Sequence, residues 1–159
     1  MLHVPLAGTL DVEVQAHEAT KLNLQLMTWR AAPDINLSAL SRLHCLVLGC
    51  GTLGCEVART LVSWGVQKIT LVDNGRVAFS NPARQSLFTV EDCNQGGALK
   101  VEAAAAALAR IAPKLDIRPV VLSIPMPGHP PVASELLQTQ QVRSFCLLSQ
   151  ATFSFCFAH

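Results

Sequence analysis

Residues 45–54 have the sequence CLVLGCGTLG, and this stretch decides the fold class of the 159-residue chain. The apolar run CLVL predicts a strand that is buried on both faces, as the strands of parallel sheets are. Gly49 permits a tight turn, Gly51 lets the backbone approach phosphate oxygens, and Gly54 lets the next helix pack close to the strand. The free N–H groups at the start of that helix favour an anion. The stretch therefore predicts a turn that binds the phosphates of a nucleotide.

Strand and helix patterns alternate after this turn. Leu53, Val57, Leu61 and Trp64 recur at helical spacing, and Gly65 follows where a helix usually ends. The segment KITLVD, residues 68–73, predicts a second strand, and ALKVEAAAAALARI, residues 98–111, predicts a helix. The segment LDIRPVVLSI, residues 115–124, predicts a third strand. This order predicts an α/β fold with a doubly wound, mainly parallel, Rossmann-like sheet.

The chain before this unit shows weaker patterns. Residues 1–19 have no clear periodicity, and we expect an irregular segment there. Thr20 is the expected N-cap of a helix in which Leu22, Leu26 and Trp29 fall on one face. Pro33 is expected to stop that helix.

Polar residues after the second strand suggest which ligand the turn holds. Asp73 lies 19 residues after Gly54, where a carboxylate can accept hydrogen bonds from a ribose hydroxyl group. Up to this point NAD fits as well as ATP. The loop that follows offers Asn81, Arg84 and Gln85, and Lys100 begins the next predicted helix. Arg and Lys stabilise the charge of a triphosphate and its pyrophosphate leaving group, which favours ATP. Taken singly, Arg84 also fits a solvated loop residue, and Lys100 fits an exposed charge on a helix better than a ligand.

Longer motifs resemble a known family. The stretch GCGTLGCEVARTLVSWGVQKITLVDNGRVAFSNPARQSLF, residues 49–88, resembles the ThiF-type adenylation domain of enzymes that activate ubiquitin-like modifiers. LNLQLMTWR, EDC followed by GG, and SIPMPGHP narrow the resemblance to the branch that serves autophagy. It runs from about residue 22 to residue 130. We expect residues 20–130 to form a partial adenylation domain and residues 131–159 a divergent tail.

The resemblance implies roles for individual residues. Gly49, Gly51 and Gly54 would cradle the phosphates of ATP, and Asp73 would hold its ribose. A further set would contact the nucleotide, with the two cations nearest the phosphates: Asn81, Arg84, Gln85 and Lys100. Members of the family use Mg²⁺ with ATP, adenylate the modifier's C-terminal glycine and pass it to a cysteine as a thioester. The implied partners are ubiquitin-like autophagy modifiers, their conjugating enzymes, and a second copy of the enzyme as a homodimer.

The tail departs from this family. Family members continue with a strand ending in an Asp that helps hold magnesium, and then with the nucleophilic cysteine. The tail contains no Asp, and Cys146 and Cys156 have no neighbouring base or cation that would activate a thiol. We therefore expect neither a magnesium ligand nor a catalytic residue here, and a chain that is incomplete and inactive alone. Without the missing strand, the strand at residues 44–49 would lie at an edge unless residues 144–148 replace it.

Composition excludes several other classes. The formal net charge is +1, which gives no electrostatic basis for binding nucleic acid or an anionic membrane. No apolar run reaches the roughly 18 residues of a membrane span. The six cysteines form no C-x-x-C pair and no signal sequence precedes them, so we expect reduced thiols and a cytoplasmic location. Two alternatives to an activating enzyme stay open: a non-catalytic module that pairs with the full-length enzyme, and an NAD-dependent oxidoreductase.

Overall fold

A parallel sheet forms the centre of the chain in the computed structural model, which describes residues 11–123 and the backbone of residues 155–157. The strands are β1 (His44–Leu48), β2 (Lys68–Asp73), β3 (Asp116–Val121) and β4 (Phe155–Phe157). They lie in the order β3-β2-β1-β4. In the register of β1 with β2, Leu46 lies opposite Thr70. All carboxyl ends therefore meet at one edge of the sheet, where ligands of such folds bind.

Helices connect the strands and cover one face of the sheet. The described helices are α1 (Val12–Ala31), α2 (Leu37–Leu40), α3 (Thr52–Ser63) and α4 (Lys100–Ile111), with a 3-10 helix at Glu91–Gly96. Val47 and Ile69 pack with α3 and α4 in one core cluster, whereas Leu46 and Val72 face the opposite side. Because side chains alternate along a strand, both faces of β1 are apolar, as the sequence predicted.

The α/β fold and its parallel, Rossmann-like sheet are confirmed. The three predicted strands and the helices after the glycine turn and before Pro113 are all present. Helix α3 ends as predicted, because Gly65 has a φ of 84°, a conformation that disfavours side chains.

The prediction for the first helix is wrong at its start. Helix α1 begins at Val12, and Asp11 caps it by accepting a hydrogen bond from the amide of Glu13. Thr20 is not a cap, since its hydroxyl group donates to the carbonyl oxygen of Ala16 inside the helix. The predicted irregular segment at residues 1–19 is therefore helical from Val12 onward. No apolar periodicity marked it, because Thr28 is the only buried residue described in this helix.

The expected edge at β1 is also corrected. Residues Leu46, Val47 and Leu48 pair in parallel with Phe155, Cys156 and Phe157, so β1 has neighbours on both sides over this stretch. The segment proposed for this place, residues 144–148, lies outside the described residues. The predicted domain boundary at residue 130 lies there too and stays a prediction.

Candidate nucleotide site at the carboxyl ends of the strands

A glycine turn joins β1 to α3 at the carboxyl edge of the sheet. Gly49 has a φ of 92°, and its amide donates to the carbonyl oxygen of Val72 at 2.7 Å. Gly51 is the N-cap of α3 and supplies no side-chain hydrogen bond. A Cβ atom at Gly51 would find no other atom within 4 Å, so the space in front of the helix is open. Gly54 is buried in the first turn of α3. The start of α3 thus faces an open site with no side-chain cap, as an anion site requires.

Asp73 fixes this turn from the end of β2. Its Oδ2 accepts a hydrogen bond from the amide of Cys50, and its Oδ1 accepts one from the amide of Gly75, both at 2.6 Å. Each carboxylate oxygen retains a second lone pair for a ligand. The sequence predicted Asp73 as a ribose acceptor but did not predict that it also holds the turn. The dipeptide Asn74-Gly75 after the Asp was the available signal, because Asp side chains often close such turns.

Lys100 lies beside Asp73. Its amide donates to the carbonyl oxygen of Gly75 at 3.0 Å. A Cβ atom built at Gly75 would lie 3.0 Å from Asp73 Oδ1 and 3.5 Å from Lys100 Cδ. The chain therefore brings the first residue of α4 next to the end of β2, and places the half-buried side chain of Lys100 beside Gly75.

Asn81, Arg84 and Gln85 share a separate turn in the loop between β2 and α4. The side-chain oxygen of Asn81 accepts from the amide of Ala78, and its carbonyl oxygen accepts from the amides of Arg84 and Gln85. Asn81 and Gln85 are 8% and 5% exposed, whereas the side chain of Arg84 is exposed. Gln85 Oε1 is buried and has no hydrogen-bond partner in the described part of the chain. A buried acceptor of this kind indicates a ligand or water, since leaving it unpaired costs about 1–3 kcal/mol.

The thiols near the turn are held protonated. Burial, with a smaller contribution from the Asp73 carboxylate, raises the pKa of Cys50 to about 12. Burial also raises the pKa of Cys55, whose thiol lies 3.7 Å from the carbonyl oxygen of Cys50. Because the thiolate is the reactive form, neither residue is suited to act as a nucleophile. Both side chains instead pack in the core cluster on the α3 and α4 side of the sheet.

Two other features delimit the site. Among residues 11–123, no group of three or more His, Cys, Asp or Glu side chains could hold a metal ion. A cavity of about 520 Å³ lies at the opposite end of the sheet, between α1 and the C-terminal ends of α3 and α4. That cavity is lined by Leu24, Val62 and Leu108 and is distinct from the glycine turn.

The ThiF family model matches residues 22–144, which include the glycine turn, Asp73 and Lys100. The chain belongs to the ThiF family.

Curated relatives narrow this assignment within the ThiF family. The chain is 54% identical over 125 residues to the ubiquitin-like modifier-activating enzyme ATG7 of Ajellomyces capsulatus, covering 79% of this chain and 18% of that enzyme. It is 46% identical over 147 residues to ATG7 of Mus musculus, covering 92% of this chain and 21% of that enzyme. The chain thus spans about a fifth of the length of the curated relatives it matches. The resemblance to autophagy activating enzymes is confirmed.

Solved structures share the ThiF-type fold. Escherichia coli MccB with ATP matches with a TM-score of 0.59 at 21% identity, over 87% of this chain and 43% of that one. Escherichia coli tRNA N6-threonylcarbamoyladenosine dehydratase TcdA in complex with ATP matches with a TM-score of 0.55 at 20% identity, over 87% and 49%. The sheet and its connections therefore also occur in these two proteins. Within the described residues, no helix is long and apolar enough to cross a membrane.

Proposed function

We propose that this chain binds ATP at the carboxyl ends of β1 and β2 and supplies the nucleotide site of an enzyme that activates ubiquitin-like autophagy modifiers. The convergence of an open helix start, the Asp73 carboxylate and the Lys100 cation carries this proposal. The ATG7 relatives and the ATP complexes of MccB and TcdA support it.

The chemistry of the site fits a nucleotide triphosphate. The backbone at Gly49, Gly51 and Gly54 would face the phosphates, and the free lone pairs of Asp73 would accept from the ribose hydroxyl groups. Lys100 would neutralise charge on the phosphates. In this proposal the loop turn supplies the remaining contacts: Asn81, Arg84 and Gln85. The unpaired oxygen of Gln85 and the open space at Gly51 are the observations that support a bound group.

Magnesium would reach this site with the nucleotide. Mg²⁺ keeps several waters and is commonly held by substrate phosphates with one or two carboxylates. In the described residues, Asp73 is the carboxylate at the turn, and both of its oxygens already accept backbone hydrogen bonds. In this proposal Mg²⁺ therefore reaches the described part of the site on the phosphates of ATP.

The reaction we propose is adenylation. The carboxylate of the modifier's C-terminal glycine attacks the α-phosphorus of ATP, the bond from that phosphorus to the bridging oxygen breaks, and pyrophosphate leaves. Lys100 and the α3 amides would stabilise the charge that develops on the leaving group. Cys50 and Cys55 cannot take up the acyl group, because their thiols stay protonated and buried. Cys45 and Cys93, the other described cysteines, are buried as well, so in this proposal thioester formation uses a cysteine outside the described residues.

A second candidate function is pairing without catalysis. Leu22, Leu26 and Trp29 of α1 are 56%, 50% and 72% exposed, although the sequence grouped them on one apolar face. Exposed apolar side chains of this size favour association with a protein partner. Under this hypothesis the chain pairs with another copy or with the full-length enzyme. The free cysteines among the described residues support a cytoplasmic location for either function.

Calorimetric titration tests the nucleotide proposal. We expect Mg-ATP to bind more tightly than AMP, and NADH not to bind. Lys100→Ala should weaken Mg-ATP about tenfold, the effect of losing one charge-assisted hydrogen bond, and leave AMP unchanged. Lys114→Ala, beyond the far end of α4, removes the same charge from an exposed position and should change neither affinity. Binding of NADH without binding of ATP would favour the oxidoreductase, and binding of no nucleotide would favour the pairing function.

A further inference from the structure

The segment that delivers Lys100 to the site is held by a short antiparallel bridge. Arg76 and Leu99 form an isolated β-bridge between the loop after β2 and the start of α4. The amide of Lys100 donates to Gly75 at 3.0 Å, and the amide of Val77 donates to Ala98 at 2.9 Å. The bridge therefore lies directly between the end of β2 and the predicted phosphate cation.

Gly97 closes this bridge in a conformation that only glycine adopts readily. It follows the 3-10 helix with a φ of 81° and a ψ of 134°, and it is buried. A Cβ atom at this position would overlap the carbonyl group of Val77. The chain thus comes within backbone contact of the loop after β2, three residues before Lys100.

The side chain of Arg76 also binds Gly97. Its Nη1 donates a hydrogen bond to the carbonyl oxygen of Gly97 at 2.7 Å. A charged donor on a carbonyl oxygen is among the stronger hydrogen bonds in proteins. The guanidinium group thus holds the Gly97 peptide three residues before Lys100, while the backbone on either side of Arg76 bonds to Ala98 and Lys100.

We propose that Arg76 is a positioning residue that aims Lys100 at the phosphates through the carbonyl group of Gly97. This inference rests on the nucleotide-binding function proposed above. It gives Arg76 a role separate from Arg84 and Lys100, which would contact the nucleotide directly. The competing role for Arg76 is a direct contact with a phosphate, and the two roles differ in how its effect combines with that of Lys100.

A double-mutant cycle separates these roles. Arg76→Met keeps the length of the side chain but removes the donor. We expect it to weaken Mg-ATP about fivefold, to leave AMP unchanged, and to have no further effect in the Lys100→Ala background. Arg76→Lys restores a donor and should recover part of the affinity. Arg110→Met, at the far end of the same helix, is the matched control and should leave both affinities unchanged.

Additive losses in the double variant would assign Arg76 to the phosphates directly and overturn the inference. An unchanged affinity in Arg76→Met would overturn it as well, as would an equal loss for ATP and AMP, which would mark a purely structural role.

Hydrogen exchange tests the inference independently of any nucleotide. The amides of Val77 and Lys100 should exchange faster in Arg76→Met than in the wild type or Arg110→Met. Should the wild type bind no ATP, the proposed function fails, and this exchange still decides whether Arg76 holds the bridge. Unchanged exchange at both amides would contradict the positioning role.

Discussion

Helices α4 and α1 differ in what their sequences encode. Helix α4 has 12 residues and buries five of them against the sheet: Val101, Ala103, Ala104, Ala107 and Leu108. Helix α1 has 20 residues, of which only Thr28 is buried among those described, and it leaves Trp29 72% exposed. Helix α4 is stabilised by packing within this chain, whereas α1 presents apolar side chains that nothing in the described residues covers. The candidate nucleotide site lies on α3, α4 and the strands, which are the part of the described chain that packs on itself.

The largest expected change in the free energy of unfolding comes from a substitution at Gly97, where the backbone approaches Val77 beside the candidate site. Gly97→Ala places a Cβ atom against the carbonyl group of Val77 and strains a positive φ. Strain contributes about 1–3 kcal/mol and overpacking a further 1–3 kcal/mol or so, so we expect a loss near 4 kcal/mol in urea unfolding.

Gly96→Ala is the matched control for this substitution. Gly96 also has a positive φ, of 89°, but no atom lies within 4 Å of its Cβ position. We expect a loss of only about 1–2 kcal/mol, from strain alone. Equal losses at the two glycines would show that the approach of residue 97 to Val77 does not constrain this loop.

The second prediction sharpens the contrast between the two helices. Leu108 of α4 is 0% exposed, and Leu26 of α1 is 50% exposed. Truncating a buried Leu to Ala costs about 2–5 kcal/mol, so we expect Leu108→Ala to lower the free energy of unfolding by about 3 kcal/mol. Leu26→Ala should change it by less than about 0.5 kcal/mol. A large loss at Leu26 would mean that α1 is covered after all, for example by a second copy of the chain.

The smallest expected effect is a pH dependence of the free energy of unfolding, caused by His44 at the amino end of β1. Burial and the positive charges of Lys68 and Arg118 lower the pKa of His44, while Asp116 acts in the opposite direction. In the unfolded chain His44 has its ordinary pKa of 6.5 and binds a proton more readily than in the folded state, so the folded state loses stability as the pH falls below that value.

Urea unfolding at several pH values tests whether His44 causes this pH dependence. The loss of stability between pH 7 and pH 5 should be smaller in His44→Gln than in the wild type. The matched substitution His17→Gln on α1 should leave the pH profile close to that of the wild type. A profile for His44→Gln that is as steep as the wild type's would remove His44 as its source.

The sequence predicted most of the packed region because its patterns act locally. The apolar run before Gly49, the helical spacing after it and the turn at Gly65 are each decided by neighbouring residues. The start of α1 at Val12 escaped prediction, because a helix without a buried stripe shows no apolar period. The sequence did contain one signal for this start, since Asp is a preferred N-cap residue and Asp11 precedes Val12.

The sequence predicted which residues form the candidate site, but it did not predict how the chain brings them together. The roles of the glycines, Asp73 and Lys100 as ligands for ATP remain predictions, although the structure brings the ends of β1, β2 and α4 together. The bridge between Arg76 and Leu99, the buried state of Gln85 and the pairing of Phe155–Phe157 with β1 depend on contacts between distant segments. No local pattern records such contacts, so they required the folded structure.

A crystal structure of the chain with Mg²⁺ and a non-hydrolysable ATP analogue tests the central claim most directly. We predict that the phosphates lie within hydrogen-bond distance of the Gly51 turn and of Lys100 Nζ, with a ribose hydroxyl group on Asp73. An analogue bound instead in the cavity beneath α1, or Lys100 turned away from the phosphates, would contradict the account.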